Sequence, residues 1–131
     1  MAKSVKILTI DDEESVQNII VAFINRFFGD RNIPCEIKAF SDPVQGVFEL
    51  SDHGEQYHVI LLDVRLPKLT GDEIFNSILN VNPDIVNRVV FVTGYPGDLK
   101  QRFPDIELNI LDKPFRYKHF CEKIISVLKN Q

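Results

Sequence analysis

Val59-Ile60-Leu61-Leu62-Asp63 is the stretch whose reading decides the fold. Four consecutive apolar residues leave no side for water, so a strand built from them must be covered on both faces. That is the condition of an interior strand in a parallel sheet. Arg88-Val89-Val90-Phe91-Val92 repeats the pattern and ends at Thr93-Gly94. Around these two runs the chain switches between short β-branched segments and amphipathic stretches, which predicts an α/β sheet. Val5 to Ile10 reads as a first strand, ending in Asp11-Asp12-Glu13-Glu14. Val16, Ile19, Ile20, Phe23 and Phe27 then recur at helical spacing, with Gly29 as the stop and Asp30 to Pro34 as loop.

Cys35 to Phe40 predicts a second strand. Glu36 and Lys38 alternate with apolar residues there, as suits a strand near the sheet edge. Ser41-Asp42-Pro43 is a helix start, since proline is tolerated where its missing N–H costs nothing. Val44, Val47, Phe48 and Leu50 are the expected buried side of that helix, and Ser51 to Gln56 a polar loop. Ile74, Ile78 and Val81 place a third helix after Pro67 and Gly71, and a short fourth spans Pro96 to Phe103. Ile106, Leu108 and Ile110 alternate into a fifth strand. Tyr117, Phe120, Cys121, Ile124, Val127 and Leu128 line a last helix. Five strands and five helices thus alternate over one continuous domain, residues 1–131, without linker or repeat.

The 131 residues suffice for one domain with a real core and are too few for a catalytic domain plus a regulatory one. Fifteen Lys and Arg against nineteen Asp and Glu leave a formal charge of -4, so no general attraction for nucleic acid or anionic lipid is expected. The apolar runs are too short for a membrane span, and the chain start leads directly into a strand rather than a signal core. Cys35 and Cys121 form no CxxC pair and read as small core residues of a reducing compartment, which points to the cytoplasm. His53, His58 and His119 have no spacing that would bring two together on a metal. Arg116, Lys118 and Lys123, with Phe115 and Tyr117, read as a solvated basic face.

In an open parallel sheet ligands bind beyond the carboxyl ends of the strands, where strand order reverses. Those ends carry Asp11-Asp12, Asp63, Thr93 and Lys113. A single Asp after a strand is an ordinary turn residue; the set is not. Three converging carboxylates repel: at an assumed ~5 Å and effective dielectric of ~20, each pair costs about 3 kcal/mol. A cation relieves this, and carboxylates without His or thiolate suit Mg²⁺. Lys113 adds a point charge and Thr93 a small hydroxyl. An Asp nucleophile, a hard cation, an ammonium and a hydroxyl together match phosphoryl transfer to a carboxylate.

The ordered set of Asp11-Asp12, Leu61-Leu62-Asp63-Val64 with Pro67 and Gly71, Thr93-Gly94 and Lys113-Pro114-Phe115 resembles the receiver domain of two-component response regulators, over essentially the whole chain. The resemblance implies a doubly wound five-stranded parallel sheet of flavodoxin-like order 2-1-3-4-5 with five helices. It implies that Asp63 is the phosphoacceptor, modified by a phosphohistidine of a sensor histidine kinase or histidine phosphotransfer protein. Asp12 would then be the direct Mg²⁺ ligand, Asp11 one acting through water, and Arg65 a ligand through its backbone carbonyl. Thr93 and Lys113 would each hold a phosphoryl oxygen, with a cis bond before Pro114 aiming the lysine. Such a domain catalyses its own phosphorylation and slow dephosphorylation rather than a metabolic reaction, and hands the signal to a protein target.

Arg65 and Tyr95 occupy positions that flank the phosphoryl site in the family and tune its hydrolysis. Ile110 stands where many members carry an aromatic ring that swings inward on activation. The Thr93-to-Lys113 interval is also about two residues shorter than the family norm, which looks like the receivers of hybrid sensor kinases. The competing readings are a receiver-like interaction module that does not use phosphorylation, and an acid phosphatase-like or flavin protein on the same layered fold. The last two would want an Asp-x-Asp or a hydroxyl-rich loop after the first strand, where Asp11-Asp12-Glu13-Glu14 stands.

Overall fold

A computed structural model describes residues 4–63, 73, 76, 83–129 and 131. Its five strands are β1 (Val5–Ile10), β2 (Cys35–Phe40), β3 (Val59–Asp63), β4 (Val89–Thr93) and β5 (Asn109–Asp112). All neighbours are parallel, in the order β2-β1-β3-β4-β5. The helices whose residues are described throughout are α1 (Glu14–Asp30), α2 (Pro43–His53), α3 (Pro96–Arg102) and α4 (Tyr117–Lys129), with 3₁₀ turns at Gly54–Gln56 and Pro83–Arg88. Glu73 and Asn76 are helical, as the expected third helix requires. Its apolar positions Ile74, Ile78 and Val81 lie outside the described residues, as do Pro67 and Gly71.

Alternation along the interior strands sorts the core into two layers. Leu8, Ile10, Ile60, Leu62, Val89 and Phe91 face one side, where Leu50 of α2 and Leu99 of α3 cover them. Ile7, Val59, Leu61, Val90 and Val92 face the other, against Ile20, Ile24 and Phe27 of α1 and Phe120, Ile124 and Val127 of α4. Both sides of β3 and β4 are therefore dry, which is why their sequences show no polar alternation.

Several expectations need correction. α1 does not stop at Gly29. It runs through Asp30, and Asn32 takes the left-handed conformation, φ 55°. The N–H of Ile33 donates to Phe28 O at 3.0 Å and that of Asn32 to Gly29 O at 3.1 Å. This pair closes the helix as a Schellman motif, with asparagine in the place usually held by glycine. β5 begins at Asn109 rather than Ile106, because it starts where pairing with Val90 begins. Ile106 and Leu108 instead pack on the α2 side of the core. The segment expected as polar loop at Ser51 to Gln56 is the end of α2 followed by a 3₁₀ turn.

The face of α2 differs most. Asp42 Oδ1 accepts from the Val44 N–H at 2.9 Å and Pro43 opens the helix, as its sequence predicts. Phe48, however, is 64 % exposed and Val44 39 %. The buried residues are Pro43, Gly46 and Leu50. A Cβ built on Gly46 would lie 2.5 Å from Ile10 Cδ1 and 2.8 Å from Cγ1. The absent side chain lets the helix settle directly on β1, and apolar periodicity alone cannot register a glycine as core.

Gly46→Ala should therefore destabilise the protein. Overpacking against a β-branched neighbour costs ~1–3 kcal/mol, and better helix propensity returns only ~1 kcal/mol. Guanidinium unfolding should show a lower midpoint with an unchanged slope. An unaltered or raised midpoint would mean that Ile10 moves aside freely.

Candidate functional site

β1 and β3 are adjacent central strands, and chain order reverses between them. Asp11 follows the last residue of β1, and Asp63 is the last of β3. Both are almost fully buried, whereas Asp12 beside them is exposed. One oxygen from each of Asp11, Asp12 and Asp63 lies within 4.8 Å of the others. The three acids that the sequence placed at strand ends thus converge.

Thr93 and Lys113 complete the strand-end set. The Lys113 N–H donates to Thr93 O at 2.8 Å, extending the β4–β5 ladder. The Lys113 ammonium reaches across to Asp63 Oδ2 at 3.1 Å. Thr93 is buried, and its Oγ1 accepts from the Tyr95 N–H at 2.9 Å. The Lys113–Pro114 bond is cis. Tyr95 is 53 % exposed at the start of α3. Ile110 is half-buried on β5 and packs on the α2 side of the core. Arg65 lies outside the described residues.

Within the acidic group the two buried carboxyls are treated differently. Lys113 compensates Asp63. Asp11 Oδ1 accepts from the Glu13 N–H at 2.9 Å, while its Oδ2 is buried without a hydrogen-bond donor among the described residues. Burial pushes the Asp11 carboxyl up to about 7; the Glu13 N–H opposes the rise and the Asp63 carboxylate adds to it. A buried, undonated carboxylate oxygen facing two further carboxylates fits a hard divalent cation, and no His or Cys joins the group.

Two contributors carried no motif. Glu13 acts through its backbone. Gln17 lies on the buried side of α1, one turn ahead of Ile20, and bonds both neighbouring strands. A polar residue inside an otherwise apolar stripe was the only signal for it. The three histidines and the two free cysteines take no part. Phe115 and Tyr117, read as part of a solvated face, instead pack with Phe23 and Phe120 in the α1–α4 layer.

A doubly wound sheet of order β2-β1-β3-β4-β5, with buried acids at its reversal point and a lysine paired across to one of them, has the flavodoxin-like architecture of a receiver. The response regulator receiver domain family matches residues 7–125, and the chain belongs to that family. Among curated proteins, the sensor kinase CckA of Brucella abortus (strain 2308) is 25% identical over 136 residues. The match takes in all of this chain and 13% of that protein, so the chain spans a small part of its relative's length. A response regulator receiver domain protein from Clostridium thermocellum superposes with a TM-score of 0.78 at 23% identity, covering 96% of this chain and 95% of the other. The receiver domain of sensor histidine kinase PA1611 from Pseudomonas aeruginosa PAO1 gives 0.79 at 19% identity, covering 97% and 99%. That crystal structure holds a magnesium ion in the active site cleft.

The raised Asp11 value yields a pH test on metal-free protein. The folded-state pKa lies above the ordinary 3.8, so this group's contribution to stability is complete below 3.8 and is lost as pH rises through about 7. In EDTA, the thermal midpoint of wild type should fall relative to Asp11→Asn across that window. Parallel curves for the two proteins would show that Asp11 does not titrate there.

Proposed function

We propose that the chain is a phosphoacceptor of two-component signalling. It takes a phosphoryl group onto Asp63 from a phosphohistidine of a sensor histidine kinase or histidine phosphotransfer protein, in a Mg²⁺-dependent reaction. The observation that carries this reading is the Asp63 carboxylate itself, buried, paired to Lys113 at 3.1 Å and set against Asp11 and Asp12. The magnesium ion in the PA1611 receiver supports the choice of cation.

Asp11, Asp12 and Asp63 would hold the ion, together with the backbone carbonyl of Arg65. Bound Mg²⁺ supplies the positive charge that offsets carboxylate repulsion and screens the incoming phosphoryl oxygens. The residues of the chain do the rest. An Asp63 oxygen attacks phosphorus as the donor's P–N bond breaks, and the bonding pair leaves on the imidazole nitrogen. The Lys113 ammonium, already on Asp63 Oδ2, passes to a phosphoryl oxygen. The Thr93 hydroxyl donates to another, which draws on its bond from the Tyr95 N–H. The exposed Tyr95, and Arg65 by its place two residues after Asp63, would tune the lifetime of the acyl phosphate.

Output follows from the same bonds. Ile110 is stiff about χ1 and has no ring to swing, so movement of Thr93 passes into the backbone that follows it. Two free thiols agree with action in the cytoplasm. The likeness to receivers of sensor kinases is in keeping with a relay role, with a protein as the next recipient.

Incubation with acetyl phosphate and Mg²⁺ should add one phosphoryl mass, labile to hydroxylamine. Asp63→Asn should gain none, and EDTA should abolish the gain in wild type. An equal gain in the variant would move the acceptor elsewhere. No gain in wild type would favour an interaction module independent of phosphorylation.

Beryllofluoride with Mg²⁺ should shift backbone amides chiefly between Thr93 and Phe103. Equal or larger shifts along β5 and α4 would show that Ile110 relays the change as a ring would.

A further inference from the structure

Beneath the acidic loop, two polar side chains meet inside the core. Thr9 is wholly buried and Gln17 only 8 % exposed. Thr9 Oγ1 donates to Gln17 Oε1 at 2.9 Å, and Gln17 Nε2 donates to the backbone carbonyl of Phe40 at 3.1 Å. That same carbonyl accepts from the Asp11 N–H at 3.0 Å. The backbone N–H of Gln17 donates to Glu13 O, also at 3.0 Å, and the Glu13 N–H returns to Asp11 Oδ1. One carboxamide therefore joins β1, the end of β2 and the start of α1. These are the three elements whose junction presents Asp11 and Asp12.

Packing alone does not call for glutamine here. Ile20, Ile24 and Phe27 fill the same face of α1 with apolar volume. A buried Gln loses more rotamer freedom than a leucine and must satisfy both ends of its amide. What distinguishes it is the pairing of an acceptor for a hydroxyl with a donor for a carbonyl. The connection it spans is short: Asp11, Asp12 and Glu13 are all that separates β1 from α1. A small roll of α1 would carry Glu13 with it and so turn the Asp11 carboxylate.

We propose that Gln17 is a positioning residue of the acidic loop, its buried carboxamide clamping β1, β2 and α1 so that Asp11 and Asp12 are held as metal ligands. The proposal rests on the reading of the acidic group as a Mg²⁺ site.

Two variants separate positioning from packing. Gln17→Met keeps side-chain length but strands the Thr9 hydroxyl, so it should lose stability. Adding Thr9→Val removes the stranded group, and replacing both partners by apolar ones is nearly neutral. Stability would be read by guanidinium unfolding, Mg²⁺ affinity by calorimetry, and loop geometry by the amide signals of Asp11, Asp12 and Glu13 in EDTA. Loss of a supporting hydrogen-bond partner should weaken Mg²⁺ binding about tenfold. The double variant should regain stability but not affinity, with the three amide signals displaced in both variants. Affinity that returns together with stability would overturn the proposal. So would amide signals that stay at their wild-type positions. If wild type itself takes up no Mg²⁺, the functional reading fails, and the metal-free amide signals still decide the clamp: displaced signals support it and unmoved signals refute it.

Discussion

Three carboxylates held together against their own repulsion are the constraint on which this structure turns. A soluble domain would ordinarily let such groups separate into water, where their charge is stabilised by hydration. Here two of them cannot leave. Asp11 and Asp63 continue β1 and β3, paired from Ile7 with Val59 to Ile10 with Leu62, and the residues behind them are buried on both faces. The sheet thus fixes the positions of the charges, and only Asp12, on the exposed loop, is able to adjust. The ammonium of Lys113 offsets Asp63, while Asp11 has one backbone donor among the described residues and an elevated proton affinity. Protein interiors tolerate charge badly unless it is paired. The site is accordingly prepared for a cation.

The remainder of the architecture serves that preparation. Interior strands covered on both faces cannot slide, because a slip of one residue would exchange every side chain between the two layers of the core. The β4–β5 ladder carries Thr93 and Lys113 in fixed relation, through the bond from the Lys113 N–H to Thr93 O. On the α2 side, Gly46 brings its helix onto Ile10, directly behind the acidic loop. On the opposite side, α1 starts at the loop's end and is closed at its far end by Asn32. Rigid elements approach the carboxylates from both sides of the sheet.

Much of this was legible in the residues. Uninterrupted apolar runs at Val59–Leu62 and Val89–Val92 identified interior strands, because burial on both faces abolishes alternation. Polar residues at their ends pointed to the candidate site, because function in such sheets gathers where strands stop. What escaped was anything encoded by the lack of a side chain or by one side chain serving several backbone groups. Gly46 is core through the space it leaves, so the apolar stripe of α2 pointed to Val44 and Phe48 instead. Asn32 ends α1 through a backbone state that glycine was expected to supply. Ile106 and Leu108 alternate like a strand, yet they precede the point where β4 offers partners. Gln17 matters by joining elements distant in sequence, and local spacing carries no trace of that.

The two borders of the sheet have a consequence for how the molecule behaves in company. An open sheet offers unpaired backbone along each outermost strand, and such borders invite the addition of another chain. On one side β2 carries Glu36 and Lys38, and the Lys38 ammonium is tethered to Glu49 of α2 at 3.7 Å. A second strand laid alongside would meet fixed charge. On the other side β5 is only four residues long, too short to template an extended ladder. Lateral growth is discouraged at both borders. Copies of the domain are thereby discouraged from joining edge to edge.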